Sequence, residues 1–344
     1  MKRRLLSLAV LCALAAVAVA TTANGSPRRT AGDELTGAGS SFVFPLVSAW
    51  QSPFRSGSGI KVNYNPIGSG GGIKAISART VDFGASDAPL TPEQVTACNG
   101  CVQIPWALSA TAIAYKGSGL PNHLHITGAV LADIYLGNVT KWNDAKLQAL
   151  NKGVNLPDKK ITPIWRSDGS GTSYNFTDYL SAVSASFKSK VGVSTLPAFP
   201  VGVGGAKSAG VAGVLSKTDG GLIYVDVAYA LANHFNFFAV RNADKKYALP
   251  GIRGIVSAAS TVKSVPSNNE LHIVNPPKSK ANAYPICTFS YIVLPTKSAK
   301  AKQLRQFVFW ALTAGQAYNA KLLFAPIPKK VLFAAEKTLK TVQS

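Results

Sequence analysis

Ile161-Thr162-Pro163-Ile164-Trp165-Arg166-Ser167-Asp168-Gly169-Ser170-Gly171-Thr172-Ser173 runs from an apolar, strand-like segment into a turn rich in hydroxyls and glycines. Just downstream, Phe176, Tyr179, Leu180 and Val183 fall on one side of a helix. The stretch therefore reads as strand, turn and helix start. Such a turn aims free backbone N–H groups and the positive end of a helix dipole at one point. An anion can sit there. Arg166 adds a planar, permanently charged fork suited to tetrahedral oxyanions. Asp168, two residues on, is placed to hold that fork. A Gly/Ser loop with an incidental Arg is the plainer reading of these residues alone, so the rest of the chain has to decide.

The same pattern recurs on either side. Residues 60–64 alternate like a strand and end at Ile67-Gly68-Ser69-Gly70-Gly71-Gly72, after which Ile73 and Ile76 begin a helical pattern. The loop differs from a nucleotide-binding P-loop, because Lys74 follows Ile73 where that motif needs Gly-Lys-Ser/Thr. Further upstream, Gly37-Ala38-Gly39-Ser40-Ser41-Phe42 leads into an expected helix through Trp50, with Pro45 tolerated in its first turn. Ser41 could cap that helix or offer its hydroxyl to a ligand. Residues 201–215 are another Gly-rich run leading into a helix. Residues 220–225 read as a strand and residues 227–233 as a helix.

Val81-Asp82-Phe83-Gly84-Ala85-Ser86-Asp87-Ala88-Pro89 contains Gly84-x-Ser86-x-Ala88, a near miss to the nucleophile elbow of hydrolases. A serine hydrolase also needs a His base. The chain has only His123, His125, His234 and His272, none in a suggestive setting, and they read as surface or structural residues. Asp87, an unpaired carboxylate among apolar neighbours, is the better candidate for a hydrogen-bond acceptor. No spacing of His, Cys and carboxylates suits a metal.

Elsewhere, residues 104–116 form an apolar strand-like segment, broken by Pro105, that could cross between domains. Residues 131–136 fit a helix or a strand, and residues 139–150 fit a helix. Residues 241–280 show no readable pattern. Residues 284–294 read as a buried strand returning to the core. Leu304, Phe307, Val308, Ala311 and Leu312 mark an amphipathic helix.

The 344 residues suffice for two domains, and 47% apolar against 15% charged residues excludes a disordered chain. Residues 1–23 read as a signal peptide. Lys2, Arg3 and Arg4 precede an apolar run over residues 5–20, and Ala18-Val19-Ala20 or Ala23 offers the cleavage site. Leu11 before Cys12 does not suit a lipid anchor. The mature protein is expected to be exported and soluble, periplasmic or associated with the cell envelope. The formal charge is +21, and +18 without the three basic residues of the signal. An exported protein rarely meets nucleic acid, so this charge reads as a solvated surface or as attraction to an anionic envelope. Cys98-Asn99-Gly100-Cys101 places two cysteines across a turn, where an oxidising compartment favours a disulfide. Cys287 reads as a buried free thiol.

Strands alternating with helices predict α/β architecture, with a ligand at the ends of strands where several Gly/Ser turns meet. From about Leu35 to Val331 the chain resembles the phosphate-binding proteins of high-affinity phosphate ABC transporters, the PstS family. The resemblance rests on four blocks in order: residues 36–42, residues 68–72, residues 81–90 and residues 166–173. Residues 133–137 and 221–225 also fit. It implies a two-lobed type II periplasmic-binding-protein fold with a hinge and an interlobe ligand cleft. The first lobe would comprise residues 33–111 with 284–344, and the second residues 112–283. Carried over by position, the phosphate contacts would be the Ser41 hydroxyl, the Phe42 N–H, Ser69, Asp87, Arg166, Ser170, Gly171 and Thr172, with Asp168 orienting Arg166. Ser41 replaces a Thr often found in the family and Gly70 a frequent Ser, and both changes keep the hydroxyl chemistry.

Phosphate near neutral pH keeps a proton and sulfate does not. A buried Asp87 carboxylate accepts that proton in a hydrogen bond but faces only lone pairs on sulfate, a mismatch costing about 1–3 kcal/mol and more when charged. The expected function is capture of inorganic phosphate and its delivery to a membrane ABC permease, as a monomer without cofactor or enzymatic activity. Two alternatives remain. One is a surface-associated phosphate sensor or general oxyanion binder on an anionic envelope. The other is a phosphatase or serine hydrolase built on Ser86 or Ser170, which would need a base or metal cluster.

Overall fold

The computed structural model describes residues 34–344. The expected signal peptide, residues 1–23, lies outside them. In chain order the strands are β1 (Glu34–Gly39), β2 (Lys61–Asn65), β3 (Phe83–Ser86), β4 (Cys101–Lys116), β5 (His125–Ile126), β6 (Thr162–Arg166), β7 (Val203–Gly205), β8 (Gly221–Asp226), β9 (Asn236–Phe237), β10 (Ala239–Arg241), β11 (Tyr247–Ala248) and β12 (Cys287–Pro295). The large sheet has the order β2-β1-β3-β12-β4-β8-β6-β7, with β9 also on β4. A small sheet orders β11-β10-β5.

β4 joins the two halves of the large sheet. It has 16 residues, about 50 Å of extended chain. Residues 101–110 pair with β12 and residues 111–116 pair with β8. Nearly all of β4 is buried, so its sequence is a continuous apolar run rather than an alternating one. Pro105 does not break it as expected. The ladder with β12 shifts register between Ser290 and Tyr291, and Trp106 is the extra residue. The bulge absorbs the missing N–H of Pro105. Trp106 then packs, fully buried, against Trp50, Phe83 and Phe307.

Within each half the strands beside these antiparallel pairs are parallel: β1 with β2 and β3, and β6 with β7 and β8. Parallel neighbours put their C-terminal ends on the same edge of the sheet. Helices pack between them, and their positions differ from expectation in two places. The first helix, Phe44–Ser58, continues past Trp50 and through Pro53, ending at Gly59 with φ 76°. Burial of Trp50 and Phe54 on one face outweighs the hydrogen bond Pro53 cannot make. The helix expected over residues 139–150 is confined to Ala145–Leu150, because Asp144 caps it and Lys141 bridges to Lys160 instead. Residues 131–136 lie mostly in the helix Gly128–Tyr135.

The unreadable stretch 241–280 contains the helix Ile252–Ala259. Its later part folds back onto the first half of the sheet. Gln103 Nε2 donates to the Asn268 carbonyl (2.9 Å), Asn269 Nδ2 donates to the Gln103 carbonyl (2.8 Å), and the Leu271 N–H donates to the Tyr291 hydroxyl (3.1 Å). Cys98 and Cys101 form a disulfide across their turn. Cys287 is free and buried, and burial pushes its thiol up.

Candidate functional site

Two sets of three parallel strands, β1 to β3 in one half and β6 to β8 in the other, end near one another, and a polar residue follows or closes each end. β1 is followed by Ser40 and Ser41, β2 by Gly68 and Ser69, β3 by Asp87, and β7 by Ser208. β6 ends in Arg166 and β8 in Asp226. Five helices start among these residues: Phe44–Ser58, Ser69–Ser77, Gly171–Val183, Lys207–Ser216 and Val227–Ala232. Their first N–H groups lack intrahelical partners and carry the positive dipole end.

Asp87 is 1% exposed. Ser40 Oγ donates to it at 2.7 and 2.6 Å from its two oxygens, and Ser290 Oγ donates to Oδ1 at 2.7 Å. Ser69 Oγ lies 3.4 Å from Oδ2. Asp87 is therefore not the unpaired carboxylate expected from its apolar neighbours in sequence. Distant serines converge on it. Burial raises its pKa, opposed by the Ser40 and Ser290 hydroxyls, the Arg166 charge and the Ser69 hydroxyl. Ser40 can serve as donor because its own oxygen accepts from the Phe42 and Val43 N–H groups (3.1 and 3.2 Å).

Arg166 is 2% exposed. Its Nε and Nη2 donate to the two oxygens of Asp168 at 2.7 and 2.6 Å. Burial pushes the Asp168 carboxyl up, but hydrogen bonds and charge from Arg166, with the Lys207 N–H, outweigh it and hold its pKa below the ordinary value. Tyr224, whose hydroxyl accepts from the Arg166 N–H (3.0 Å), fixes the strand end. Ser170 Oγ accepts from the Ser173 N–H (3.1 Å) and so caps its helix.

The two halves meet at this point. The Gly171 N–H donates to Ser69 Oγ (3.1 Å), the Gly70 N–H donates to the Gly169 carbonyl (2.9 Å), and Asn175 Nδ2 donates to the Asp87 carbonyl (2.8 Å). Gly171 has to be glycine here, since a Cβ would lie 2.7 Å from the Asp87 backbone. Ser41, Phe42, Ser69, Asp87, Arg166, Ser170, Gly171 and Thr172 are thus brought together and are all buried. Several are already engaged. The Phe42 N–H meets Ser40, the Gly171 N–H meets Ser69, and the Ser170 hydroxyl is a helix cap, so an arriving anion competes for these donors. Thr172 Oγ1 is buried without a hydrogen-bond partner. Ser41 does not cap the first helix. Its hydroxyl instead lies 3.0 Å from Ser208 Oγ.

At the rim, His272 Nε2 meets Asp178 Oδ2. His272 belongs to the stretch that folds onto the first half, and Asp178 to the helix Gly171–Val183. The Asp178 hydrogen bond and charge, with Glu270 nearby, raise the His272 pKa against a smaller effect of burial. A raised His pKa contributes stability that is full below the ordinary His value and is lost as pH rises through the folded value. His272→Ala is therefore expected to lower the melting temperature at about pH 5 and to leave it unchanged at about pH 9. The half-exposed pair limits the loss to less than about 1 kcal/mol. Thermal melts of both proteins across this range test it, and equal destabilisation at both ends would remove the ion-pair account.

Comparison with known proteins fits this arrangement. A family model described as a PBP superfamily domain matches residues 24–314. The phosphate-binding protein PstS of Xylella fastidiosa (strain Temecula1) is 37% identical over 316 residues, covering 91% of this chain and 86% of that protein. The chain belongs to the PstS family of phosphate-binding proteins. The PstS protein of Pasteurella multocida is 35% identical over 316 residues, covering 91% of each chain. Among solved structures, the phosphate-binding protein of Stenotrophomonas maltophilia superimposes with a TM-score of 0.69 at 18% identity, over 88% of this chain and 93% of that one. The fold is thus the two-lobed type II periplasmic-binding fold, and the buried cluster joins residues from both halves of the large sheet. Among the described residues no helix is long and apolar enough to cross a membrane.

PstS membership leaves several cluster residues outside the sequence reading: Ser40, Asn175, Ser208, Asp226 and Ser290. Ser208 and Asp226 carry a signal that could have found them, since each sits at a strand-to-helix junction, as Ser69 and Ser170 do. Ser290 carries only a weak one, a hydroxyl inside an apolar strand.

Proposed function

We propose that this PstS-family protein captures inorganic phosphate in the interlobe cleft and delivers it to a membrane ABC permease. The observation that carries this reading is a fully buried carboxylate, Asp87, set among oxyanion donors and facing a buried Arg166. Donors alone would suit any oxyanion. An acceptor among them suits one that still carries a proton, as phosphate does. Ser41, the Phe42 N–H, Ser69, Arg166, Ser170, Gly171 and Thr172 supply the donors, and Asp168 orients Arg166.

The lobes proposed are residues 33–111 with 284–344 and residues 112–283, with residues 268–271 lying against the first. They close by bending where β4 passes from β12 to β8. The protein acts as an exported monomer, outside the cytoplasmic membrane, and is not an enzyme. The two hydroxyls considered as nucleophiles have backbone partners rather than a base: Ser86 bonds the Ala88 carbonyl and N–H, and Ser170 caps a helix.

The test is calorimetric titration of ligand-stripped protein with phosphate, repeated in excess sulfate. One-to-one binding that sulfate leaves unchanged is expected. Equal competition by sulfate would make the protein a general oxyanion binder. Absence of binding to either ion would remove the capture reading.

A further inference from the structure

Behind Ser41 lies a buried polar chain that the capture reading does not use. Ser41 Oγ accepts from the Ser208 N–H (3.0 Å) and lies 3.0 Å from the Ser208 hydroxyl. The Ser208 hydroxyl in turn adjoins the Asp226 carboxyl. Asp226 is 0% exposed. Its Oδ1 accepts from the Tyr229 N–H (3.0 Å) as a helix cap, whereas its Oδ2 has no hydrogen-bond partner. A cap needs one oxygen. The second is buried and uncommitted, in a carboxyl that neighbours the Ser208 hydroxyl.

Each hydroxyl has one proton to give. Because Ser41 Oγ already accepts from a backbone N–H, the direction of the Ser41–Ser208 bond decides where the Ser41 proton points. An ionised Asp226 would accept a hydrogen bond from the Ser208 hydroxyl, and Ser208 would then accept one from Ser41. A neutral Asp226 donates to the Ser208 hydroxyl, which donates to Ser41, and the Ser41 O–H is left to donate to an anion in the cleft. We propose that Ser208 and Asp226 are positioning residues that turn the Ser41 hydroxyl toward the bound oxyanion as a committed donor. The inference rests on the phosphate-capture reading. Burial, reinforced by the nearby Asp87 charge and opposed by the Tyr229 N–H and the Ser208 hydroxyl, raises the Asp226 pKa and favours the neutral form. The chain also links the lobes, so the donor is assembled only where they meet.

A double-mutant cycle read by phosphate titration tests this. Ser41→Ala is expected to weaken binding about tenfold, as for one charge-assisted hydrogen bond. Asp226→Ala is expected to cost about the same in the wild type and nothing further in the Ser41→Ala background. Asp226→Asn is expected to recover most of that loss, because its amide N–H donates to Ser208 while its oxygen keeps the cap. Equal losses from Asp226→Ala in both backgrounds, no loss at all, or an Asp226→Asn variant as weak as Asp226→Ala would each overturn the proposal. If Asp226→Ala does not fold, Ser208→Ala takes its place in the cycle, and additivity with Ser41→Ala overturns it. The wild-type titration separates the two readings. No phosphate binding there removes both, whereas tight binding with an additive cycle removes only this one.

Discussion

Replacing Asp87 with Asn is expected to reduce the preference for phosphate over sulfate by about ten- to a hundredfold. The carboxylate is 1% exposed and held by the Ser40 and Ser290 hydroxyls, so it cannot swing away from a ligand that offers it no proton. A buried group facing a mismatched partner costs about 1–3 kcal/mol, and more when charged. Each 1.4 kcal/mol is a factor of ten in affinity. Asn offers an N–H that any oxyanion can accept, and it removes the repulsion between two anions. Sulfate binding should therefore strengthen more than phosphate binding weakens. The pH dependence has a definite sign. Burial raises the Asp87 pKa, so as pH falls toward that value Asp87 itself takes a proton and becomes a donor. Sulfate then gains, and discrimination in the wild type fades in acid. The Asn variant should show no such fading. Competition titrations of both proteins at several pH values test this, and a variant that keeps the wild-type ratio would sink the role given to Asp87.

What the sequence shows of such a site depends on how local each contact is. Gly68–Gly72 and Arg166–Ser173 are legible because glycines and hydroxyls interrupt apolar periodicity where a strand hands over to a helix. Arg166 and Asp168 are two residues apart, and their pairing follows from that proximity. The partners of Asp87 do not. Ser290 is 203 residues away, and it reaches Asp87 because β12 pairs antiparallel to β3. The bulge at Trp106 is equally hidden, since Pro105 alone reads as a break and only the paired strand shows where the extra residue goes. The apolar spacing of residues 139–150 allows one helix, yet the Lys141–Lys160 bridge takes the first part. Local chemistry names the turns, whereas sheet order decides which turns meet.

Arg166→Ala is expected to weaken phosphate binding by about two to four powers of ten and to destabilise the protein as well. The guanidinium is 2% exposed and commits Nε and Nη2 to Asp168. Its remaining N–H groups are then fixed in direction and available to the cleft. A hydrogen bond to a charged group is worth about 1.5–3 kcal/mol, so losing two of them accounts for the lost affinity. The stability loss has a separate origin. Asp168 keeps the Lys207 N–H (2.8 Å) but loses the guanidinium that neutralised it. Stranding one member of a buried pair costs about 3–5 kcal/mol, less here because Asp168 keeps some contact with solvent. This part is pH-dependent. The Asp168 pKa is held below its ordinary value, so the pair contributes stability that is full above that value and is lost as pH falls through the lower, folded one. Wild type and variant should accordingly converge in melting temperature in strong acid while differing at neutral pH. Arg166→Lys restores the charge but not the two-point contact with Asp168, and is expected to recover stability less than Asp168 needs and affinity only in part. If Arg166→Ala binds phosphate within tenfold of the wild type, the helix starts rather than the guanidinium hold the anion.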